Sequence, residues 1–315
     1  MALPESPSNS PSDKPQHLLE FGEPATRRPS TPPRSTLIVA SYNIRYAVGE
    51  FLISSGLFRK AGLNFPLQRA AAVGKNICTA AKFFMNGVAC PPPDVLALQE
   101  ADKRTARAGG HHVACELAEE LGMSWIHAGA DIPRGRKPQP RQWWLDFEEQ
   151  IGLYDEGDTG VALITNQILS EVSRIDLPWK ECPWRPRLAL GATLAIDGRQ
   201  VRLLNSHIDP HTALDGHMEQ LEVVVKEADR SNLPVILLGD FNTLSKRKCI
   251  DTRLMLEAQG FSTPLPTGTP TWRGAGIRLH ADWIFVRELK VNRWGVARPL
   301  SVSDHWPIWA EIALK

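Results

Sequence analysis

Short apolar runs that break off on polar side chains recur along this chain. Thr36-Leu-Ile-Val-Ala-Ser-Tyr-Asn43, Val95-Leu-Ala-Leu-Gln99-Glu100 and Pro234-Val-Ile-Leu-Leu-Gly-Asp240 are the plainest cases. Continuous apolar runs of this length, rich in β-branched residues and bounded by Pro or Gly, read as core strands. Further strands are predicted over residues 124–128, 159–165, 187–196, 201–207, 280–286 and 305–312. Asp197-Gly198, between two such runs, marks a hairpin turn that could extend through Arg199 and Gln200. Helical spacing of apolar residues predicts helices over 67–86, 111–121, 212–230 and 251–259. Gly122 and Gly260 stand where left-handed C-terminal caps belong, and Thr212-Ala-Leu-Asp215 has the form of a capping box.

Strands joined both by a tight hairpin and by helical crossovers predict a mixed-sheet sandwich with helices on the outside. No Gly-rich phosphate loop or GxGxxG occurs, which argues against a nucleotide-cofactor fold.

Composition divides the chain. Residues 1–35 hold eight prolines and few large apolar residues, and read as a disordered Pro/Ser-rich tail. Residues 36–315 are long enough for one large α/β domain. Thirty-six basic residues against 35 acidic ones leave a formal charge of +1, so a polyanion would have to be met by a local patch. The five cysteines are scattered without zinc spacing and are expected to be reduced thiols, placing the protein in the cytoplasm. No apolar run approaches membrane-spanning length, so no membrane insertion is expected, and nothing points to an obligate protein partner.

The strand ends gather Asn43, Glu100, His207, Asp240, Asn242, Asp282, Asp304 and His305. If the Pro234–Asp240 strand runs on, Asp240 and Asn242 share one face and Phe241 takes the other. The structural alternative is an Asx turn closing an ordinary strand. An oxygen-rich set of this kind suits a hard divalent cation, Mg2+ or Mn2+, better than zinc.

The motifs Tyr42-Asn43-Ile44-Arg45, Leu98-Gln99-Glu100, Asn205-Ser206-His207, Gly239-Asp240-Phe241-Asn242, Asp282-Trp283-Ile284-Phe285 and Ser303-Asp304-His305-Trp306-Pro307 follow one another in an order that resembles the endonuclease/exonuclease/phosphatase superfamily, with deoxyribonuclease I among its members. The resemblance implies a four-layer α/β sandwich, two packed mixed β-sheets flanked by helices, and metal-dependent phosphoester hydrolysis. By the same resemblance Glu100, Asn43 and Asp304 hold the metal. Asp240 and Asn242 orient or deprotonate the attacking water, His305 pairs with Asp282, and His207 meets the phosphate or the leaving group. Asp240 and His305 both stay open as the general base.

For the substrate, Arg45, Arg187 and Asn205 are the candidate binding residues, with Lys103 or Arg104 as a further cation near the motifs, and Arg185-Pro-Arg187 just before a strand resembles a feature of many bacterial-type members. The basic, Trp-bearing stretch 134–144 could stack bases or simply pack on the body. Residues 47–65 look like an insertion relative to better-known members, and Glu156 or Asp158 are the nearest candidates for an additional acid. A nuclease acting on nucleic acid is the leading expectation. A phospholipid or inositol-phosphate phosphoesterase is the alternative, and an inactive binding module is a third.

Overall fold

The computed structural model describes residues 18–27, 35–49, 66–134, 151–179, 185–274 and 276–315. In chain order the elements are β1 (Leu19–Gly22), β2 (Thr36–Asn43), α1 (Pro66–Asn86), β3 (Val95–Gln99), α2 (Val113–Leu121), β4 (Ser124–Gly129), β5 (Gly160–Thr165), β6 (Ser170–Asp176), β7 (Leu188–Ile196), β8 (Arg199–His207), α3 (Leu214–Ala228), β9 (Val235–Asp240), α4 (Lys246–Ala258), β10 (Trp272–Gly274), β11 (Ile277–Leu279), β12 (Asp282–Arg287), β13 (Leu289–Val296) and β14 (Ile308–Leu314).

They form a seven-stranded sheet, β1-β4-β5-β3-β2-β14-β13, a five-stranded sheet, β12-β9-β8-β7-β6, and a separate β10-β11 hairpin. Both sheets are mixed, with β2 parallel to β3 and β8 parallel to β9.

Three apolar layers hold four structural layers together, and strand parity decides which side chain enters which. Leu37 and Val39 of β2, Val95 and Ala97 of β3, Leu203 of β8, and Ile236 and Leu238 of β9 all point between the sheets. Their alternates Ala40, Tyr42, Leu96 and Leu98 instead meet Val73, Ile77 and Phe84 of α1 and Leu117 of α2. On the other side Leu204, Val235 and Leu237 meet Leu221 and Val224 of α3 and Leu256 of α4. Strands buried on both faces have no polar alternation to show, which is why they read as continuous apolar runs.

The Asp197-Gly198 turn is tight. Ile196 pairs directly with Arg199, and the two turn residues have φ of 48° and 79°, so the loop goes no further. Gly122 caps α2 in the left-handed region at φ 62°.

Several expectations need correction. Leu19–Gly22, placed by composition in the tail, pairs antiparallel with β4 as an edge strand. Its two apolar residues are too few to stand out among prolines and serines. The helix expected from Asp251 begins at Lys246, capped by the Ser245 hydroxyl, which accepts from the Lys248 N–H at 3.2 Å. Its basic first turn hides the start. No capping box forms at Thr212, because Ala213 is the N-cap residue of α3. β6 and β13, which apolar patterning does not predict, are edge strands, largely polar on both faces. Most of 134–144 and of 47–65 lies outside the described residues. No helix among the described residues is long and apolar enough to cross a membrane.

His217 of α3 is buried, its Nε2 2.9 Å from Thr252 Oγ1 on α4. Burial, reinforced by Lys248, pushes its pKa from 6.5 down to about 3. A histidine kept neutral in the fold but protonated once unfolded adds stability that is present above 6.5 and is lost as pH falls towards the folded value. The urea midpoint should therefore drop on acidification across that window, and drop less in His217→Gln.

Candidate active site

The topology brings the polar strand ends to one edge. β2, β3, β8 and β9 run towards it, while β12 and β14 are antiparallel to β9 and β2 and start from it. Parity does the rest. Asn43, Gln99, Asn205, His207 and Asp240 share the face of the apolar residues that fill the space between the sheets, so the site is the polar mouth of that core. Gly239 lets β8 and β9 approach there. A Cβ on it would sit 1.9 Å from the Ser206 carbonyl oxygen, and its φ is 142°.

A cleft of about 140 Å³ opens at this mouth, lined by Asn43, Arg45, Tyr46, Glu100, Arg185, Pro210, His211, Asp240, Asn242, Trp272, Asp304 and His305. Glu100 and Asn242 both adopt φ of 50°, a left-handed conformation uncommon for non-glycine residues. β9 thus ends at Asp240 rather than running on. Asn242 curls back, its N–H donating to Asp240 Oδ1 at 2.9 Å and its amide donating to the Ile208 carbonyl at 2.8 Å. The Asx turn and the functional site are one object, while Phe241 goes into the core.

Asp240 is the hub. Its Oδ2 accepts from Asn43 Nδ2 across the two sheets at 2.8 Å and from Asn242 Nδ2 at 3.2 Å, and lies 3.5 Å from His207 Nε2 and 3.9 Å from His305 Nε2. His305 Nδ1 is 2.9 Å from Asp282 Oδ2, a carboxylate that fixes the ring's orientation. Burial opposes charge on His305, but Asp282 and then Asp240 outweigh it and raise its pKa to about 10. Burial pushes the Asp240 carboxyl up to about 7 against the pull of His305. His207 is held neutral, first by burial and then by Arg187 and Arg185.

Across the cleft, Glu100 Oε1 lies 3.2 Å from Arg185 Nη2 and 3.9 Å from His207 Nε2. Asp304 Oδ2 accepts from the Trp272 indole at 3.0 Å and sits 3.7 Å from Arg45 Nη1. Ser303 Oγ ties the turn down, donating to the Asn43 carbonyl at 2.7 Å and accepting from the His305 N–H at 3.1 Å.

All eight strand-end residues meet here, though His207 and Asp282 sit just behind the lining. Of the three residues expected on substrate, only Arg45 lines the cleft. Arg187 is buried with Nη1 3.1 Å from His207 Nδ1, so its contact is with that ring. Asn205 is fully buried, donating to the Leu98 and Ala162 carbonyls at 2.9 and 3.0 Å and accepting from Gln99 Nε2 at 2.7 Å. It pins one sheet to the other beneath the site. Asn205→Ala should cost about 1–3 kcal/mol of stability, read from urea unfolding, without raising KM.

Lys103 pairs with Glu20 of β1, Asp158 accepts from the Asp131 and Ile132 N–H groups, and neither they nor Arg104 and Glu156 line the cleft. Tyr46, Arg185, His211 and Trp272 do. Tyr46 and His211 follow the first and third motifs closely and Arg185 stands with Arg187 in an Arg-Pro-Arg run before β7, while Trp272 carries no such signal.

The donors facing the cleft are carboxylate and amide oxygens from Glu100, Asp304, Asp240, Asn43 and Asn242, with no cysteine among the lining residues. That chemistry fits a hard divalent cation. Asp240, Asp282 and His305 also bring ligand atoms within 4.8 Å of one another. Within this trio His305 Nδ1 is hydrogen-bonded to Asp282, while its Nε2 stands at ion-pair distance from Asp240.

Residues 40–305 match the model of the Endonuclease/Exonuclease/phosphatase family. The chain belongs to that family. Its enzymes are hydrolases of phosphoester bonds and generally depend on a divalent metal. The chain is 30% identical over 142 residues to a UPF0294 protein of Photorhabdus laumondii, covering 40% of this chain and 52% of that protein, so it spans about half that relative's length. The fold is similar to a Bacteroides thetaiotaomicron mannosyl-6-phosphatase, with 19% identity, a TM-score of 0.57 and coverage of 88% of this chain and 100% of the other. It is similar too to the human Nocturnin catalytic domain with bound sulfate anion, at 18% identity and a TM-score of 0.57, covering 96% and 100%. At such identities the family's sandwich is shared, and the substrate is not thereby assigned.

Proposed function

We propose that the chain is a divalent-metal-dependent phosphodiesterase that cleaves nucleic acid in the cytoplasm. The observation that carries this reading is the cluster of Asp240 and the Asp282-bonded His305 facing Glu100 and Asp304 in one cleft. Glu100, Asn43 and Asp304 would hold Mg2+ or Mn2+. When bound, the metal would offset negative charge on the phosphoryl oxygens.

The protein's own groups supply the rest. Asp240, fixed by the Asn43 and Asn242 amides, takes the proton of the attacking water. The water oxygen bonds to phosphorus as the ester oxygen departs. His305, charged through Asp282, faces the nonbridging oxygens with Nε2, and neutral His207 donates a hydrogen bond beside it. Arg45 and Arg185, lying against Asp304 and Glu100, flank the phosphate.

The test is turnover by the purified chain with Mg2+ or Mn2+ on plasmid DNA, single-stranded RNA, sphingomyelin, inositol polyphosphates and bis-p-nitrophenyl phosphate. Nucleic acid and bis-p-nitrophenyl phosphate should be cleaved, and EDTA should stop both. Cleavage confined to sphingomyelin or inositol polyphosphates would replace the substrate assignment. Absence of metal-dependent turnover on the whole panel would leave a binding module.

A further inference from the structure

Beside the cleft, the β10–β11 hairpin carries an arrangement that local energetics disfavour. Its register sets Arg273 directly opposite Arg278. Like charges facing each other across a two-stranded ladder are destabilising. Arg298, from the segment after β13, joins them. The three guanidinium carbons lie 5.1, 5.8 and 4.1 Å from the Trp306 ring centroid, so one indole gathers Arg273, Arg278 and Arg298.

Arg278 and Arg298 are exposed, and among the described residues no carboxylate lies within ion-pair distance of either. Burial and then Arg278 itself push the Arg298 pKa down, as repulsion between neighbouring cations requires.

The cluster is joined to the site by short covalent and hydrogen-bonded links. Trp272 lines the cleft, pairs with His305 in an isolated β-bridge and donates its indole N–H to Asp304, while the Arg273 N–H donates to the Asp304 carbonyl at 2.9 Å. Trp306 directly follows His305.

We infer that Arg273, Arg278 and Arg298, stacked about Trp306, form a second phosphate-binding subsite that engages the polynucleotide backbone next to the phosphodiester being cleaved. Arg298 Nη2 donates to the Pro270 carbonyl, which fixes that fork beside the ring. The exposed guanidinium groups of Arg278 and Arg298 keep further N–H donors, in a planar geometry that suits phosphate oxygens. A bound phosphate removes the repulsion that the empty hairpin carries. This inference rests on the nucleic-acid reading above.

The experiment measures anisotropy of a fluorescein-labelled 20-base-pair DNA duplex in EDTA over a range of salt concentrations. It compares the wild type with Arg278→Gln, Arg298→Gln, the double variant and the double lysine variant. The double glutamine variant should bind about tenfold more weakly, with the slope of log affinity against log salt reduced by about two. The lysine variant should recover most of the slope. With Mn2+ present, cleavage of the duplex should fall by a larger factor than hydrolysis of bis-p-nitrophenyl phosphate, which is too small to span the cleft and the hairpin.

Unchanged affinity and slope overturn the inference, as does an equal fall on both substrates, which would mean a damaged cleft. Binding of the wild type to phosphatidylserine vesicles in place of DNA, lost in the double variant, also overturns it. If the duplex binds as expected while neither substrate is ever hydrolysed, the subsite stands and the proposed catalysis falls.

Discussion

His305→Gln is expected to lower kcat on a nucleic acid or on bis-p-nitrophenyl phosphate by about 10²–10³, the range carried by a preorganised charged donor. The imidazole is buried, bonded to Asp282 at 2.9 Å and 3.9 Å from Asp240, so its loss removes the cation from between two carboxylates. Glutamine keeps a polar end near Asp282 and limits the damage to the fold. Circular dichroism and the urea midpoint separate the two effects. A variant that stays folded and keeps wild-type kcat would remove His305 from the chemistry. Asp282→Asn should reproduce part of the defect, because it leaves the ring without the charge that orients it.

The second large effect is expected at Glu100. Glu100→Gln keeps the shape and removes the charge, and should cost about 10²–10³ in activity at a fixed Mn2+ concentration, comparable to losing one preorganised electrostatic contact. Raising the metal concentration should recover part of the loss, and calorimetric titration of Mn2+ should give a weaker site. Both follow if Glu100 is the principal carboxylate for the metal. An unchanged Mn2+ requirement would transfer that role to the Asp240, Asp282 and His305 trio, whose ligand atoms lie within 4.8 Å of each other.

The site was legible in the sequence wherever a residue ended an apolar run. Asn43, His207 and Asp240 terminate strands whose preceding alternate residues fill the space between the sheets, so parity alone aims them at a common mouth. The same parity places Asn205 beneath His207 and in register with Leu203, facing the opposite sheet. That alternation is the signal against a substrate role for Asn205. Glu100 and Asn242 reach the cleft by left-handed backbone turns that alternation does not anticipate.

Arg187 and Arg185 could not be told apart by spacing. Two arginines separated by one proline differ only in which way the chain turns before β7, and it sends one to His207 and the other to Glu100. Trp272 arrives from a hairpin with no motif of its own. Edge elements were the hardest to read, since a strand paired on one side needs no apolar face.

The pairing of Leu19–Gly22 with β4 gives the leading segment a protective duty. Were the chain cut at residue 35, the outer backbone N–H and C=O groups of β4 would lose their partners, and Lys103 would lose the carboxylate of Glu20. The six-residue β4 would then form the border in place of the four-residue β1, and a longer border invites another chain to add itself. Shortened forms are therefore expected to self-associate even though no residue of the cleft has been removed.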